Sequence, residues 1–202
     1  MNFLDDSFYL NPNVVEVARN LLGKKLCTVF NGKITSGIIV ETEAYFAPLD
    51  RASHAYNNKK TERNKIMFER GGVAYIYLCY GIHHLFNVVT NLEGIPHAVL
   101  VRAIEPLEGI ANILERKNKN VLTVNLVSGP GSLSEALGIT TSLNGTKLNS
   151  RTLFIEKYKQ IEENEIVSCP RIGVDYAGEH AKLNYRFYIK NNKWVSKPIK
   201  IL

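Results

Sequence analysis

The sequence predicts an α+β fold: one domain over residues 1–202, built on a curved antiparallel β-sheet flanked by helices and carrying an exposed β-hairpin. Three observations predict it. Residues 25–45, KLCTVFNGKITSGIIVETEAY, alternate around Asn31 and Gly32, and an Asn-Gly pair between alternating runs is the strongest short-range hairpin signal. After Gly71 and Gly72 come VAYIYLCY, IHHLFNVVTNLEG and IPHAVLVRAIEP, rich in β-branched and aromatic residues with turn signals between them, as in an antiparallel meander. Helical spacing occurs in separate stretches around these runs.

In chain order, NPNVVEVARNLL (residues 11–22) places Val14, Val17, Ala18, Leu21 and Leu22 on one helical face, with Gly23 as a stop. Residues 25–30 and 33–45 are the paired strands. Between 46 and 70 the apolar rhythm fails, and a polar, basic stretch containing Pro48 predicts a long loop with one helical turn; such loops in compact domains are usually functional. LEGIANILERK (107–117) reads as a helix leaving into the polar KNKN. SGPGSLSEALGI (128–139) puts Ser, Gly and Pro ahead of a helical pattern, as at a helix start. RFYIKNNKWVSK near the end resembles a last hairpin.

Composition narrows the class. At 202 residues the chain can bury a core without disulfides or a structural metal. No apolar run approaches the roughly 18 residues of a membrane span. MNFLDDSFYL has acids where a secretory signal has a basic region, so a soluble, cytoplasmic protein is expected. Cys27, Cys79 and Cys169 are odd in number, widely spaced and without a CxxC pair, which fits buried thiols. Lys and Arg outnumber Asp and Glu by 25 to 19, for a formal charge of +6. That balance favours a polyanionic partner such as nucleic acid, although many basic proteins bind none.

The chemistry-bearing stretch is IIVETEAYFAP, residues 38–48. Side chains alternate across a strand, so Ile39, Glu41, Glu43 and Tyr45 share one face. An isolated ExExY is more often a solvated face than a site. Alternatively, two carboxylates on one strand could clamp Mg²⁺, with Asp50 as a third oxygen ligand, but no further acidic cluster supports this. YIYLCYGIHH sends Tyr75 and Tyr77 one way and Tyr80 the other, beside the turn at Gly81. Any single tyrosine is more often core or edge; an aromatic at a hairpin tip in a basic protein is the arrangement that wedges between base steps. His54 lies alone in the long loop, and neither His83 with His84 nor any other His/Cys spacing forms a metal set. GxxxxGK[ST] is absent. No metal and no cofactor are expected.

VETEAYFAPLDRASHA, TERNKIMF, YIYLCYGIHHLFNVVT, VLVRAIEPLEG and SGPGSLSEALGI, taken together and in order, resemble the alkyladenine, or 3-methylpurine, DNA glycosylase family. The resemblance implies an enzyme of base excision repair, and a monomer is the default expectation, because one domain contacting one lesion needs no symmetry. The enzyme would flip a damaged purine from double-stranded DNA and hydrolyse its N-glycosidic bond without lyase chemistry, no lysine occupying an obvious nucleophile position. It also implies residue roles: Glu43 as the general base that activates water, Arg102 as a holder of that water, Tyr45 and Tyr77 as a sandwich for the flipped base, and His54 as a hydrogen-bond partner of its edge. Asn87 would crowd the amino group of undamaged guanine, and Tyr80 would enter the minor groove and fill the gap. Cationic N3- or N7-alkylated purines would gain cation–π attraction from the tyrosines. The chain departs from the usual pattern at Glu62, where proline is common, Ile82, where methionine is common, and Leu85, a frequent cysteine. A non-catalytic nucleic-acid-binding module would explain Tyr80 and the charge but not Glu43, since a carboxylate beside DNA repels phosphate. A carboxylate-metal nuclease is the second alternative.

Overall fold

In the computed structural model, which describes residues 2–199, one helical turn, α1 (Asp6–Tyr9), precedes the expected amphipathic helix, α2 (Val14–Asn20). Asn13 starts α2 by accepting hydrogen bonds from the N–H groups of Val15 and Glu16, and Val14, Val17 and Ala18 are buried. Strands β1 (Lys25–Phe30) and β2 (Lys33–Tyr45) pair from Lys25 opposite Ile38 to Phe30 opposite Lys33. Asn31 and Gly32 both have positive φ (50° and 73°), the geometry an Asn-Gly hairpin turn needs.

The expected meander is present as β3 (Ala74–Cys79), β4 (His83–Thr90) and β5 (His97–Glu108), each antiparallel to the next. β5 then pairs with β2, so the sheet runs β3-β4-β5-β2-β1-β6, where β6 is Leu153–Glu156. Two more short strands, β7 (Ile166–Cys169) and β8 (Arg186–Ile189), pair with each other, and β8 also pairs with β2 at Glu41–Glu43. One edge of β2 is therefore shared, with β1 along 33–38 and β8 along 41–43.

Helices α3 (Ile110–Lys117) and α4 (Pro130–Leu137) pack with α2 against this sheet around a core that includes Leu21, Ile39, Phe86, Ile104, Ile113 and Leu133. Among the described residues no helix is long and apolar enough to cross a membrane.

The structure corrects three expectations. Leu107 and Glu108 belong to β5, and the helix starts after Gly109, whose φ of 69° breaks the strand. Residues 46–70 carry two 3₁₀ turns, Tyr56–Asn58 and Lys65–Phe68, instead of one. The run RFYIKNNKWVSK contributes one strand; its partners are β2 and β7, not its own C-terminal half.

Gly109 is held tightly: a Cβ there would lie 2.3 Å from the carbonyl oxygen of Ile34, whereas one at Gly32 would meet nothing within 4 Å. Both have positive φ. Gly32→Ala should therefore cost about 1 kcal/mol from backbone strain alone, and Gly109→Ala about twice that or more. Denaturant unfolding checks this, and equal losses would mean that the Ile34 carbonyl can move aside.

Candidate active site

Glu41 and Glu43 are both buried with no solvent exposure, which corrects the reading of their strand face as solvated. Two single-residue irregularities in the β2–β5 register, between Ile39 and Glu41 and between Glu41 and Thr42, place Arg102 against them. Bulges of this kind re-aim side chains beside functional sites. Arg102 Nε donates to Glu41 Oε1 at 3.1 Å, and its Nη1 lies 3.3 Å from Glu43 Oε1. Burial alone would lower the Arg102 pKa, but the carboxylates of Glu43 and Glu41 outweigh it and hold the guanidinium firmly charged.

The two glutamates then diverge. Glu41 Oε1 also accepts from Arg186 Nη1 at 2.9 Å, and its Oε2 accepts from the Ser196 N–H at 2.7 Å. Glu43 Oε1 accepts from the Ile172 N–H at 2.8 Å, and its Oε2 accepts from the Tyr45 hydroxyl at 2.9 Å. Burial first, then the Glu43 charge, pushes the Tyr45 pKa far above its ordinary value, so the phenol keeps the proton it donates. N–H and O–H donors occupy the carboxylate oxygens, and no group of three or more His, Cys, Asp or Glu that could hold a metal occurs among the described residues, which weighs against the metal clamp. Asp50 is likewise committed, in a buried two-pronged ion pair with Arg171 and to the N–H groups of Phe46 and Ala52.

Beside Glu43 opens a cleft of about 440 Å³ lined by Tyr45, His54, Tyr77, Tyr80, Asn87 and Arg102, among others. Six of the seven residues singled out from the sequence thus meet at one cavity, and the seventh, Glu43, lies behind Tyr45 and Arg102. His54 Nδ1 lies 2.9 Å from the Tyr75 hydroxyl, and its ring meets Tyr77 edge-on at 4.6 Å. Burial first, then the charge of Arg63, lowers the His54 pKa to about 4, so the imidazole is neutral at physiological pH.

Asn64, the last residue of TERN, holds this part of the long loop in place. Its Oδ1 accepts from the Thr61 N–H at 2.7 Å, and its amide donates to the carbonyls of His54 and Lys59, each at 2.8 Å. Asn87 donates to the Tyr75 and Leu85 carbonyls at 3.1 and 3.3 Å, which fixes its amide orientation. Tyr80 sits at the β3–β4 turn, 93% exposed, with a φ of 51°. A non-glycine residue held at positive φ, with its ring in solvent, is strain without a packing reward and points to function.

Sequence reasoning missed the segment 170–185. It supplies the Ile172 N–H, Arg171 with its guanidinium 4.8 Å over the Tyr45 ring, and Tyr176, 70% exposed at the cleft with its hydroxyl donating to the Ala52 carbonyl. The signal was available: like residues 46–70, the run is aperiodic and contains turn-forming glycines, Gly173 and Gly178, both of positive φ.

The sequence profile of the methylpurine-DNA glycosylase family matches residues 7–193. The chain belongs to this family. Among its relatives are other methylpurine-DNA glycosylase-type proteins named "Putative 3-methyladenine DNA glycosylase". The protein from Chlamydia felis (strain Fe/C-56) is 47% identical over 191 residues, covering 94% of this chain and 97% of the relative. One from Bacillus cereus (strain AH187) is 46% identical over 200 residues, covering 95% and 97%. Membership makes this glycosylase a hydrolase of N-glycosyl bonds in DNA, with a role in repair.

Two outcomes follow for the glycosylase. Glu41→Ala leaves Arg102 and Arg186 short of a buried partner and should cost about 3–5 kcal/mol in denaturant unfolding; a loss below about 1 kcal/mol would mean that solvent already reaches the pair. For His54, whose folded pKa lies below its ordinary 6.5, the unfolded chain takes up a proton that the folded chain refuses between pH 6.5 and about 4. Its contribution to stability is complete above pH 6.5 and is lost as the pH falls toward 4. An NMR titration of the His54 imidazole checks this, and a midpoint near 6.5 would contradict it.

Proposed function

We propose that the enzyme flips alkylated or deaminated purines, of the 3-methyladenine, 7-methylguanine and hypoxanthine class, out of duplex DNA into the cleft beside Glu43. There it hydrolyses the N-glycosidic bond with a water activated by Glu43 and leaves an abasic site. The observation that carries the reading is the Glu43 carboxylate, hydrogen-bonded to a tyrosine that also lines a cleft of small-ligand size. The bond from C1′ to the base breaks with both electrons leaving on the purine, and the sugar becomes oxocarbenium-like. A carboxylate next to C1′ stabilises that charge and takes a proton from the water that adds there.

Tyr45 and Tyr77 stack on the flipped base, and His54, neutral and tied to Tyr75, offers its remaining ring nitrogen to the base edge. Asn87, with its amide fixed by two carbonyls, meets the exocyclic position and disfavours normal guanine. Tyr80 fills the space the nucleotide vacates, offsetting an unstacking cost of a few kcal/mol. The enzyme acts as a monomer on one lesion and cleaves no strand itself.

The test incubates the protein, in EDTA, with duplexes bearing hypoxanthine or 7-methylguanine and measures free base by chromatography. Wild type should release base, with strand breaks appearing only after alkali or heat, and Glu43→Gln should be slower by about 10² to 10⁴. Binding of both proteins without release would favour a binding module, and metal-dependent strand cleavage a nuclease. Release that survives in Glu43→Gln would remove Glu43 from the chemistry.

A further inference from the structure

Two of the tyrosines that line the cleft each carry a guanidinium over the ring: Arg171 lies 4.8 Å from the Tyr45 centroid and Arg63 lies 5.0 Å from the Tyr77 centroid. The two arginines differ in what neutralises them. Arg171 is buried against Asp50. Arg102, which also lines the cleft, pairs with Glu41 and Glu43, and Arg186 pairs with Glu41. Arg63 lines the cleft and makes no ion pair among the described residues; its Nη2 donates to the Leu78 carbonyl at 3.3 Å, which holds it beside Tyr77. With the other guanidiniums paired to carboxylates, Arg63 leaves the cleft wall with a net positive charge.

Resting on the glycosylase reading above, we infer that Arg63 is a specificity-determining residue, whose unpaired charge beside Tyr77 disfavours lesions that are already cations and favours neutral ones, such as hypoxanthine. The reason is the charge each base carries through the reaction. A 7-methylguanine is cationic and leaves as a neutral base. Hypoxanthine is neutral, and when C1′–N9 breaks without a proton being supplied, the electron pair stays on the purine and the base leaves as an anion that water protonates afterwards.

A fixed cation near the base opposes binding of the first and stabilises the departing form of the second. It also engages the electron density of the Tyr77 ring, so less remains to attract a cationic base. His54, pushed down to about 4 by burial and by Arg63, carries no proton to lend at neutral pH, which leaves electrostatic stabilisation to do what a general acid would.

The test compares single-turnover release of hypoxanthine and of 7-methylguanine from otherwise identical duplexes by wild type, Arg63→Met and Arg63→Lys, with Arg63→Gln as a second uncharged variant. In the uncharged variants the ratio of hypoxanthine to 7-methylguanine release should fall about three- to fivefold, the size of an exposed cation–π contact, and lysine should restore most of it. Equal losses on both substrates would assign Arg63 to phosphate binding or structure and overturn the inference, as would an unmoved ratio or a wild type that releases only 7-methylguanine. In each of those cases the glycosylase reading stands; a wild type that releases neither base defeats that reading itself.

Discussion

Two carboxylates buried two residues apart on one strand are the constraint around which the sheet is organised. Removing each from water costs several kcal/mol, and only charged or N–H donors in good geometry offset that. No neighbour in sequence can supply them. Arg102 comes from β5, Arg186 from β8, and the Ile172 and Ser196 N–H groups from beyond β7 and β8. This accounts for the divided edge of β2. β1 leaves after Ile38 so that β8 can dock at Glu41–Glu43 and bring Arg186 to the carboxylate. It also accounts for the register irregularities in the β2–β5 pairing, one with Val40 as the extra residue on β2 and one with Arg102 as the extra residue on β5, which put Arg102 against the two glutamates.

What was legible in the sequence follows from range. The 25–45 hairpin, the 74–108 meander and the α2 and α4 patterns are local, because each depends on alternation, an Asn-Gly turn, or Gly and Pro at a helix start. LFIE and IVSC are four residues each, too short for alternation to register, and exist as strands because distant partners hold them; RFYI was legible as a strand, but its partners β2 and β7 were not. Leu107 and Glu108 fit a helical pattern as well as a strand, and the choice falls to pairing with Ser36 across the sheet. Arg171 was illegible for the same reason: its partner Asp50 lies 121 residues away.

The cleft residues were legible for another reason. Tyr80 and His54 lie in motifs that carry the family resemblance, and the structure adds departures from local rules: a positive φ at Tyr80, an imidazole with a lowered pKa at His54, and a buried amide at Asn64 in a polar loop. Local violations retained against their cost mark function more reliably than residue type does. TERN shows the point. Its Asn64 ties His54 and Lys59 through their carbonyls, so the loop that looks irregular in sequence is cross-linked by hydrogen bonds where His54 sits.

The family resemblance points to Glu43 over Glu41 as the residue that meets the reactants, and the partners of their four oxygens bear on the choice. Glu41 Oε1 is shared by two guanidiniums, and its Oε2 is bonded to a backbone N–H. Exchanging either for water would unpair a buried charge or a buried amide. Glu43 Oε1 is held in the same way, by Arg102 and the Ile172 N–H. Oε2 of Glu43 alone has a side-chain hydroxyl as its partner, the Tyr45 phenol, on a ring that lines the cleft. Exchanging that bond for one to water leaves every charge paired and every buried amide satisfied. Three oxygens anchor the sheet and the fourth holds only a phenol, which supports the proposal of Glu43 as the base and of Glu41 as the residue that keeps Arg102 in place.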